Sequence, residues 1–126
     1  MVSVRYIVTD LSAAIEFYVT QFGFSVEFEA SPAFALLERG DLRLLLNVPG
    51  VGGAGHEADY GRLPEPGGWN RFQLETADLG GLVETLESAG YALRTSIIEG
   101  KGGRQALVED PSGNVVELFE AVPPAA

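Results

Sequence analysis

The chain contains no cysteine, and its 126 residues include only one histidine and one tryptophan. Without cysteine there is no disulfide framework, no thiolate metal site and no thiol redox chemistry. The single histidine, His56, lies in a glycine-rich stretch, and a lone histidine in such a loop is far more often solvated than bound to a metal. Nucleophilic catalysis by a Ser/His or Cys/His pair is therefore not expected.

Long hydrophobic runs are also missing, since no segment approaches the ~20 apolar residues of a membrane helix. The opening residues, MVSVRYIVTD, lack the basic and apolar regions of a secretory signal. We therefore expect a cytoplasmic protein with no membrane segment. Hydrophobic residues make up 46% of the chain and charged residues 21%, which is typical of a globular domain.

Basic residues are scarce, because eighteen acidic residues face eight basic ones and the formal net charge is −10. Nucleic acid is not expected as a partner, since neutralising its phosphates needs a surplus of lysine and arginine. The excess of acid favours cationic small molecules. A simpler explanation is that the acidic surface only keeps the protein soluble.

What the sequence does contain is an internal repeat. VRYIVTDLSAAIEFY, beginning at Val4, aligns with FQLETADLGGLVETL, beginning at Phe72, at an offset of 68 residues. A later alignment joins residues 33–46 to 104–119, with a two-residue insertion at the turn between them. The order of elements in the two halves is the same, which indicates two copies of one structural unit.

Each half has the pattern of a strand, a helix and three further strands. Asp10 or Ser12 can cap the first helix, and Gly23 suits the left-handed position that ends it. We expect a single domain over 1–126, with module one at 1–48 and module two at 69–122. The predicted elements are strands at 3–8, 24–29, 33–38 and 41–47, then a strand at 70–76, a helix at 78–88 and strands at 91–98, 105–109 and 114–120.

A connector loop at 49–68 separates the two modules. It is rich in glycine and proline and has no hydrophobic periodicity. Loops longer than ~12–15 residues are usually functional or disordered. A solvated connector and a lid over a binding cleft explain this segment equally well.

The opening VRYIVTDLSAAIEFYVTQFGF and the closing EDPSGNVVELFE resemble segments of the vicinal oxygen chelate superfamily, which comprises glyoxalases, bleomycin-resistance proteins and dioxygenases. The resemblance covers the chain apart from the connector and the terminal PPAA. It implies an α+β fold of two βαβββ modules that form a curved, cup-shaped mixed sheet, with helices on the outer face. It also implies ligand binding on the concave face and a homodimer, with or without exchange of modules between chains.

Metal-using members of that superfamily take ligands from the first and last strands of each module. On the resemblance, these positions are Ser3, Leu44, Arg71 and Glu117. Only Glu117 is a competent ligand, because leucine has no donor atom and arginine stays protonated. We therefore expect no metal and no cofactor. Instead, Arg71 and Glu117 should form an ion pair, because the resemblance makes their strands neighbours.

Side-chain alternation along the strands predicts which residues line the concave face. Trp69 is the strongest candidate, because its aromatic plane can stack on a ligand. Leu42, Leu46 and Val115 are expected to serve as core packing instead. The predicted ligand-binding residues are Ser3, Arg5, Phe28, Leu44, Tyr60, Trp69, Arg71, Gln73, Glu117 and Phe119.

Two functions fit these features. The first is a metal-free binding protein without catalytic residues, which would give antibiotic resistance by sequestering an aromatic or cationic natural product, as the bleomycin-resistance branch does. The second is a cofactor-free lyase or isomerase that uses Glu117 as acid or base. The missing metal ligands and the aromatic cleft favour the first.

Overall fold

Aspartates begin both helices, at positions that the internal repeat aligns with each other. In the computed structural model, Asp10 Oδ1 accepts a hydrogen bond from the Ala13 N–H at 3.0 Å, and Asp78 Oδ1 accepts one from the Gly81 N–H at 3.0 Å. These caps satisfy backbone donors that the first turn of a helix leaves unpaired. Gly23 ends the first helix with a φ of 71°, a conformation that glycine adopts without steric cost.

The structure describes residues 1–122, which form an α+β fold of two βαβββ modules. Within these residues, neither helix is long and apolar enough to cross a membrane. The helices and strands are β1 (Val2–Ile7), α1 (Leu11–Phe22), β2 (Ser25–Ala30), β3 (Phe34–Arg39), β4 (Leu42–Asn47), β5 (Gln73–Glu75), α2 (Leu79–Ser88), β6 (Leu93–Glu99), β7 (Gly103–Glu109) and β8 (Val115–Ala121).

The first module is a four-stranded sheet with the order β1-β4-β3-β2. β1 runs parallel to β4, and the other neighbours are antiparallel. α1 packs against β2, β3 and β4 and covers one face of the sheet. The side chains between helix and sheet form the core of this module, where Phe17, Tyr18, Leu37, Leu44 and Leu46 are each 0% exposed.

The second module repeats this arrangement with the order β5-β8-β7-β6. β5 runs parallel to β8, and α2 packs against β7 and β8. Leu79, Leu86, Val116 and Leu118 are fully buried in its core. We call the face of each sheet that lies opposite its helix the helix-free face. Side chains alternate along a strand, so every second residue of each strand points to that face.

β5 is shorter than the sequence predicts. A strand is expected at 70–76, but only Gln73–Glu75 pairs with β8. Gly67 and Gly68 both have positive φ, 103° and 87°. Such backbone does not continue a β ladder, so the chain enters β5 through irregular structure.

Contact density divides the chain into two compact units. One comprises Met1–Gly67 with Pro111–Asn114, and the other comprises Gly68–Asp110 with the chain from Val115 onward. In the first unit, the buried Asn114 side chain accepts a hydrogen bond from the Gly67 N–H at 2.8 Å and donates one to the Ile7 carbonyl at 2.8 Å. The turn between β7 and β8 therefore also anchors the end of β1.

The connector at 49–68 contains no helix or strand. Short-range hydrogen bonds shape it, such as the Gly50 N–H to the Gly55 carbonyl at 2.7 Å. Tyr60 within it is 81% exposed.

Candidate functional site

The helix-free face of the second sheet brings together three of the predicted site residues. The parallel register of β5 and β8 pairs Gln73 with Glu117, and Arg71 lies two residues before Gln73. Arg71 Nε donates to Glu117 Oε1 at 2.9 Å, and Gln73 Nε2 donates to Glu117 Oε2 at 2.6 Å. The predicted ion pair between Arg71 and Glu117 is thus confirmed.

Glu117 is the most sheltered member of this cluster, and Gln73 is an exposed residue. The side chain of Arg71 is 29% exposed and that of Glu117 is 14% exposed. Arg71 Nη1 also donates to the Trp69 carbonyl at 3.3 Å. The guanidinium is therefore held by two acceptors, and the pair is a charge-assisted contact of the stronger kind.

The residues present do not fit the metal that the superfamily's enzymes use. Both oxygens of Glu117 already accept hydrogen bonds from nitrogen donors. A guanidinium carries positive charge where a cation would have to sit, and it offers no lone pair. Residues 1–122 contain no group of three histidine, cysteine, aspartate or glutamate residues placed to hold a metal ion.

Trp69 lies just before β5 and is held by residues that the sequence analysis did not identify. The guanidinium carbon of Arg94 lies 4.6 Å from the centre of the Trp69 ring. Arg94 Nε forms an ion pair with Glu109 Oε2 at 3.0 Å, and its Nη1 donates to the Gly68 carbonyl. The Trp69 residue nevertheless remains 65% exposed.

Simple pairing along the hairpin of β6 and β7 would not have identified the contact between Arg94 and Glu109. The two strands are antiparallel neighbours, and Leu93 pairs with Val108. A register shift follows Leu93, which shows that a bulge interrupts the simple pairing near Arg94. Cross-strand pairs of opposite charge are a common way of stabilising a sheet.

The prediction that Leu44 lines the same face as Arg5 is wrong. β1 and β4 pair Val4 with Leu44 and Arg5 with Leu45, so Leu44 points toward α1. Leu44 is 0% exposed and belongs to the core. Leu45 occupies the position on the helix-free face that Leu44 was expected to take.

The same register corrects the alignment of the repeat. Gln73 pairs with Glu117 as Arg5 pairs with Leu45, so Leu45 is the counterpart of Glu117. The turn insertion in the second module is therefore one residue, where the sequence alignment placed two. A slip of one residue moves a side chain to the opposite face of its sheet.

The other predicted site residues of the first module lie in several environments. Ser3 and Arg5 both lie on the helix-free face, with exposed residues, and Arg5 Nη1 donates to the Asn47 side-chain oxygen. Phe28 is 55% exposed, and its ring centre lies 6.1 Å from that of Phe34. Tyr60 lies in the irregular connector and is not part of a strand.

In the second module, Phe119 shares the helix-free face with Glu117 and is half-buried. The core-packing expectation is confirmed for Leu46 and Val115, which are 0% exposed, whereas Leu42 is only half-buried.

A depression of about 480 Å³ opens beside the end of β5, where the sequence analysis predicted no site. Its lining residues are Glu75, Thr76, Ala77, Glu120 and Ala121. Glu120 is engaged in structure: its Oε2 accepts from the Leu79 N–H at 2.7 Å, and its Oε1 accepts from Arg104 Nη2 at 3.1 Å. The Leu79 hydrogen bond, followed by the Arg104 contact, lowers the pKa of Glu120. The Glu120 carboxylate therefore stabilises the N-terminus of α2 by accepting the Leu79 N–H.

Solved structures with the same fold include proteins of different activity. Lactoylglutathione lyase from Agrobacterium tumefaciens is 20% identical with a TM-score of 0.75, over 95% of this chain and 92% of that one. TnmS3, an antibiotic binding protein from Streptomyces sp. CB03234, is 22% identical with a TM-score of 0.67, over 95% and 93%. A superfamily member from Sphaerobacter thermophilus DSM 20745 is 26% identical with a TM-score of 0.73, over 94% of each chain.

No curated protein matches the chain. The family model of the Glyoxalase/Bleomycin resistance protein/Dioxygenase superfamily matches residues 1–118. Together with the two βαβββ modules, this match establishes that the chain belongs to the Glyoxalase/Bleomycin resistance protein/Dioxygenase superfamily.

Proposed function

We propose that the protein binds and sequesters a planar aromatic natural product without chemical turnover, and thereby confers antibiotic resistance. The observation that carries the proposal is the Trp69 residue, 65% exposed and stacked by the Arg94 guanidinium at 4.6 Å. A ligand that covers this exposed ring would remove apolar surface from water, a gain of roughly 25 cal/mol for each Å². A flat ligand is the partner that a tryptophan ring best accommodates.

The Trp69 ring is also held in advance of binding. Arg94 contacts the ring and is itself fixed by Glu109 at 3.0 Å and by the Gly68 carbonyl. A side chain that is already ordered loses little conformational entropy when a ligand arrives. This arrangement supports stacking as the main source of affinity.

The environment of Glu117 favours binding over catalysis. An acid or base must have an oxygen free to exchange a proton with the substrate. Both oxygens of Glu117 accept hydrogen bonds, from Arg71 and from Gln73. These contacts use one of the two lone pairs on each oxygen, so a substrate proton would compete with both donors for the carboxylate. The antibiotic-binding neighbour TnmS3 has the same fold, which is in keeping with the proposal.

The binding proposal is tested by titrating the protein with doxorubicin, a planar aromatic probe, and with bleomycin, a cationic one. Because Trp69 is the only tryptophan, quenching of its fluorescence reports stacking directly. In a thermal-shift assay, Trp69→Ala should lose about tenfold in affinity for the probe that binds, and Trp69→Phe should retain most of it.

Val122→Ala is the matched control, since it removes another exposed hydrophobic side chain, 55% exposed in the native protein. It should leave the affinity unchanged. Binding that survives Trp69→Ala undiminished would refute stacking as the basis of the function.

A homodimer, with or without module exchange, is a further proposal, as is a cytoplasmic location. The observation that supports the homodimer is β2, an edge strand that within residues 1–122 pairs only with β3 and whose residues are all exposed. Unpaired edges are prone to pair with another chain. Light scattering at micromolar concentration should give the mass of two chains, and the mass of one chain would contradict the proposal.

A further inference from the structure

A single row of side chains crosses the helix-free face of the first sheet. Arg5 pairs with Leu45, Leu45 with Leu36, and Leu36 with Phe28. Paired residues point to the same face, and neighbouring strands are about 4.8 Å apart, so the row spans roughly 14 Å. It begins with a cation and continues with three apolar side chains.

Arg5 has a charge that no carboxylate in residues 1–122 balances at ion-pair distance. Its partner is a neutral group, the side-chain oxygen of Asn47. That contact occupies one arm of the guanidinium, which has five N–H donors in a planar fork. The Arg5 residue is exposed, so its remaining donors are available to a ligand.

Two acidic residues of the same sheet, Glu38 and Glu27, are engaged by other partners. Glu38 lies on the same face but is 3.5 Å from Arg43 Nε. That contact is an ion pair without hydrogen-bond geometry, since Arg43 Nε is buried with no hydrogen-bond partner. Glu27 lies in the bulge of β2, at the far edge of the sheet from Arg5, and accepts a hydrogen bond from Ser25 Oγ at 2.8 Å.

The apolar part of the row is accessible as well. Leu36 and Leu45 are half-buried, and Phe28 is 55% exposed. Phe34, on the neighbouring row, extends this surface, because its ring centre lies 6.1 Å from that of Phe28. An apolar body laid along the row would cover all four side chains and gain roughly 25 cal/mol for each Å² removed from water.

We propose that this face binds a small monocarboxylic acid, with its carboxylate on Arg5 and its aromatic or aliphatic body along Leu45, Leu36 and Phe28. The inference goes beyond the proposed function, because it concerns a different sheet face from the one near Trp69 and a different class of ligand. One unbalanced guanidinium matches one negative charge, which favours a carboxylate over a phosphate dianion. The overall charge of −10 does not forbid an acid, because exposed charges beyond about 10 Å are largely screened at moderate salt, whereas Arg5 is in contact.

The test compares 2-naphthoate with 2-naphthamide, which has the same shape but no charge, by isothermal titration calorimetry. We expect the acid to bind about tenfold more tightly than the amide, the usual gain of one charge-assisted contact. Arg5→Gln should abolish this preference, while Arg5→Lys should keep part of it. Leu45→Ala should weaken both probes, because Leu45 is the apolar residue paired with Arg5. Lys101→Gln removes the same charge from an exposed loop residue and should change neither.

Three results would overturn the proposed carboxylate site. They are equal affinities for the acid and the amide, an unchanged preference for the acid in Arg5→Gln, and no binding of either probe at millimolar concentration. A change of mass in Arg5→Gln by light scattering would show that a second copy covers this face instead. Failure here is separable from failure of the proposed function: if Trp69→Ala weakens doxorubicin binding but Arg5→Gln has no effect on the acid, only the carboxylate site is wrong.

Discussion

Leu44→Ala should lower the free energy of unfolding by about 3–5 kcal/mol, whereas Leu45→Ala should lower it by only about 1 kcal/mol. The two leucines are adjacent in the sequence, but they lie on opposite faces of β4. Leu44 is 0% exposed beneath α1, so its truncation leaves a cavity in the core. Leu45 is half-buried on the helix-free face, where water and neighbouring side chains can fill the space. Urea denaturation of both variants measures the difference.

A second measurement separates the two faces by function. Leu45→Ala should weaken the binding of 2-naphthoate, because Leu45 lies in the row that begins at Arg5. Leu44→Ala should bind it normally at temperatures where the variant is folded. Equal losses of stability in the two variants, or a binding defect confined to Leu44→Ala, would contradict the register of β1 and β4.

This pair of leucines also marks where sequence reasoning failed. The helices and strands could be predicted from the hydrophobic periodicity and the capping residues. The internal repeat indicated that the two halves share one fold. Leu44, Leu45 and Leu46 are three identical residues in succession, so no alternation indicates which of them face the helix. The orientation of these leucines therefore depended on the alignment with the second module. That alignment gave the turn an insertion of two residues, whereas the structure has one, so it matched Leu44 instead of Leu45 to Glu117.

The ion pair between Arg71 and Glu117 was predictable for a different reason. The resemblance places the first and last strands of a βαβββ module side by side, and a charged pair in an apolar sheet has few other partners. The contact of Trp69 with Arg94 was not predictable in this way. It depends on the irregular segment before β5 and on a bulge near Arg94, neither of which has a clear sequence signal.

Arg71 and Glu117 should show strong energetic coupling in a double-mutant cycle. Arg71→Met leaves Glu117, whose side chain is 14% exposed, with only the amide of Gln73, and should destabilise the protein by about 2–3 kcal/mol. Glu117→Leu should destabilise it by about 1–2 kcal/mol, because the stranded guanidinium, 29% exposed, can partly reach water. These expected losses in the free energy of unfolding are smaller than those for a fully buried ion pair, because both side chains remain partly exposed to solvent.

The double variant Arg71→Met with Glu117→Leu should recover most of this loss and lie within about 1 kcal/mol of the native protein, since removing both charges leaves neither unpaired. The expected coupling is therefore about 2–5 kcal/mol, measured by urea denaturation. Arg62 and Glu65 provide the matched control: their side chains are 3.5 Å apart and each 66% exposed, so their coupling should be below about 0.5 kcal/mol. Additive effects at Arg71 and Glu117 would mean that the pair contributes no more than an exposed one, and the guanidinium would then not compensate the sheltered carboxylate.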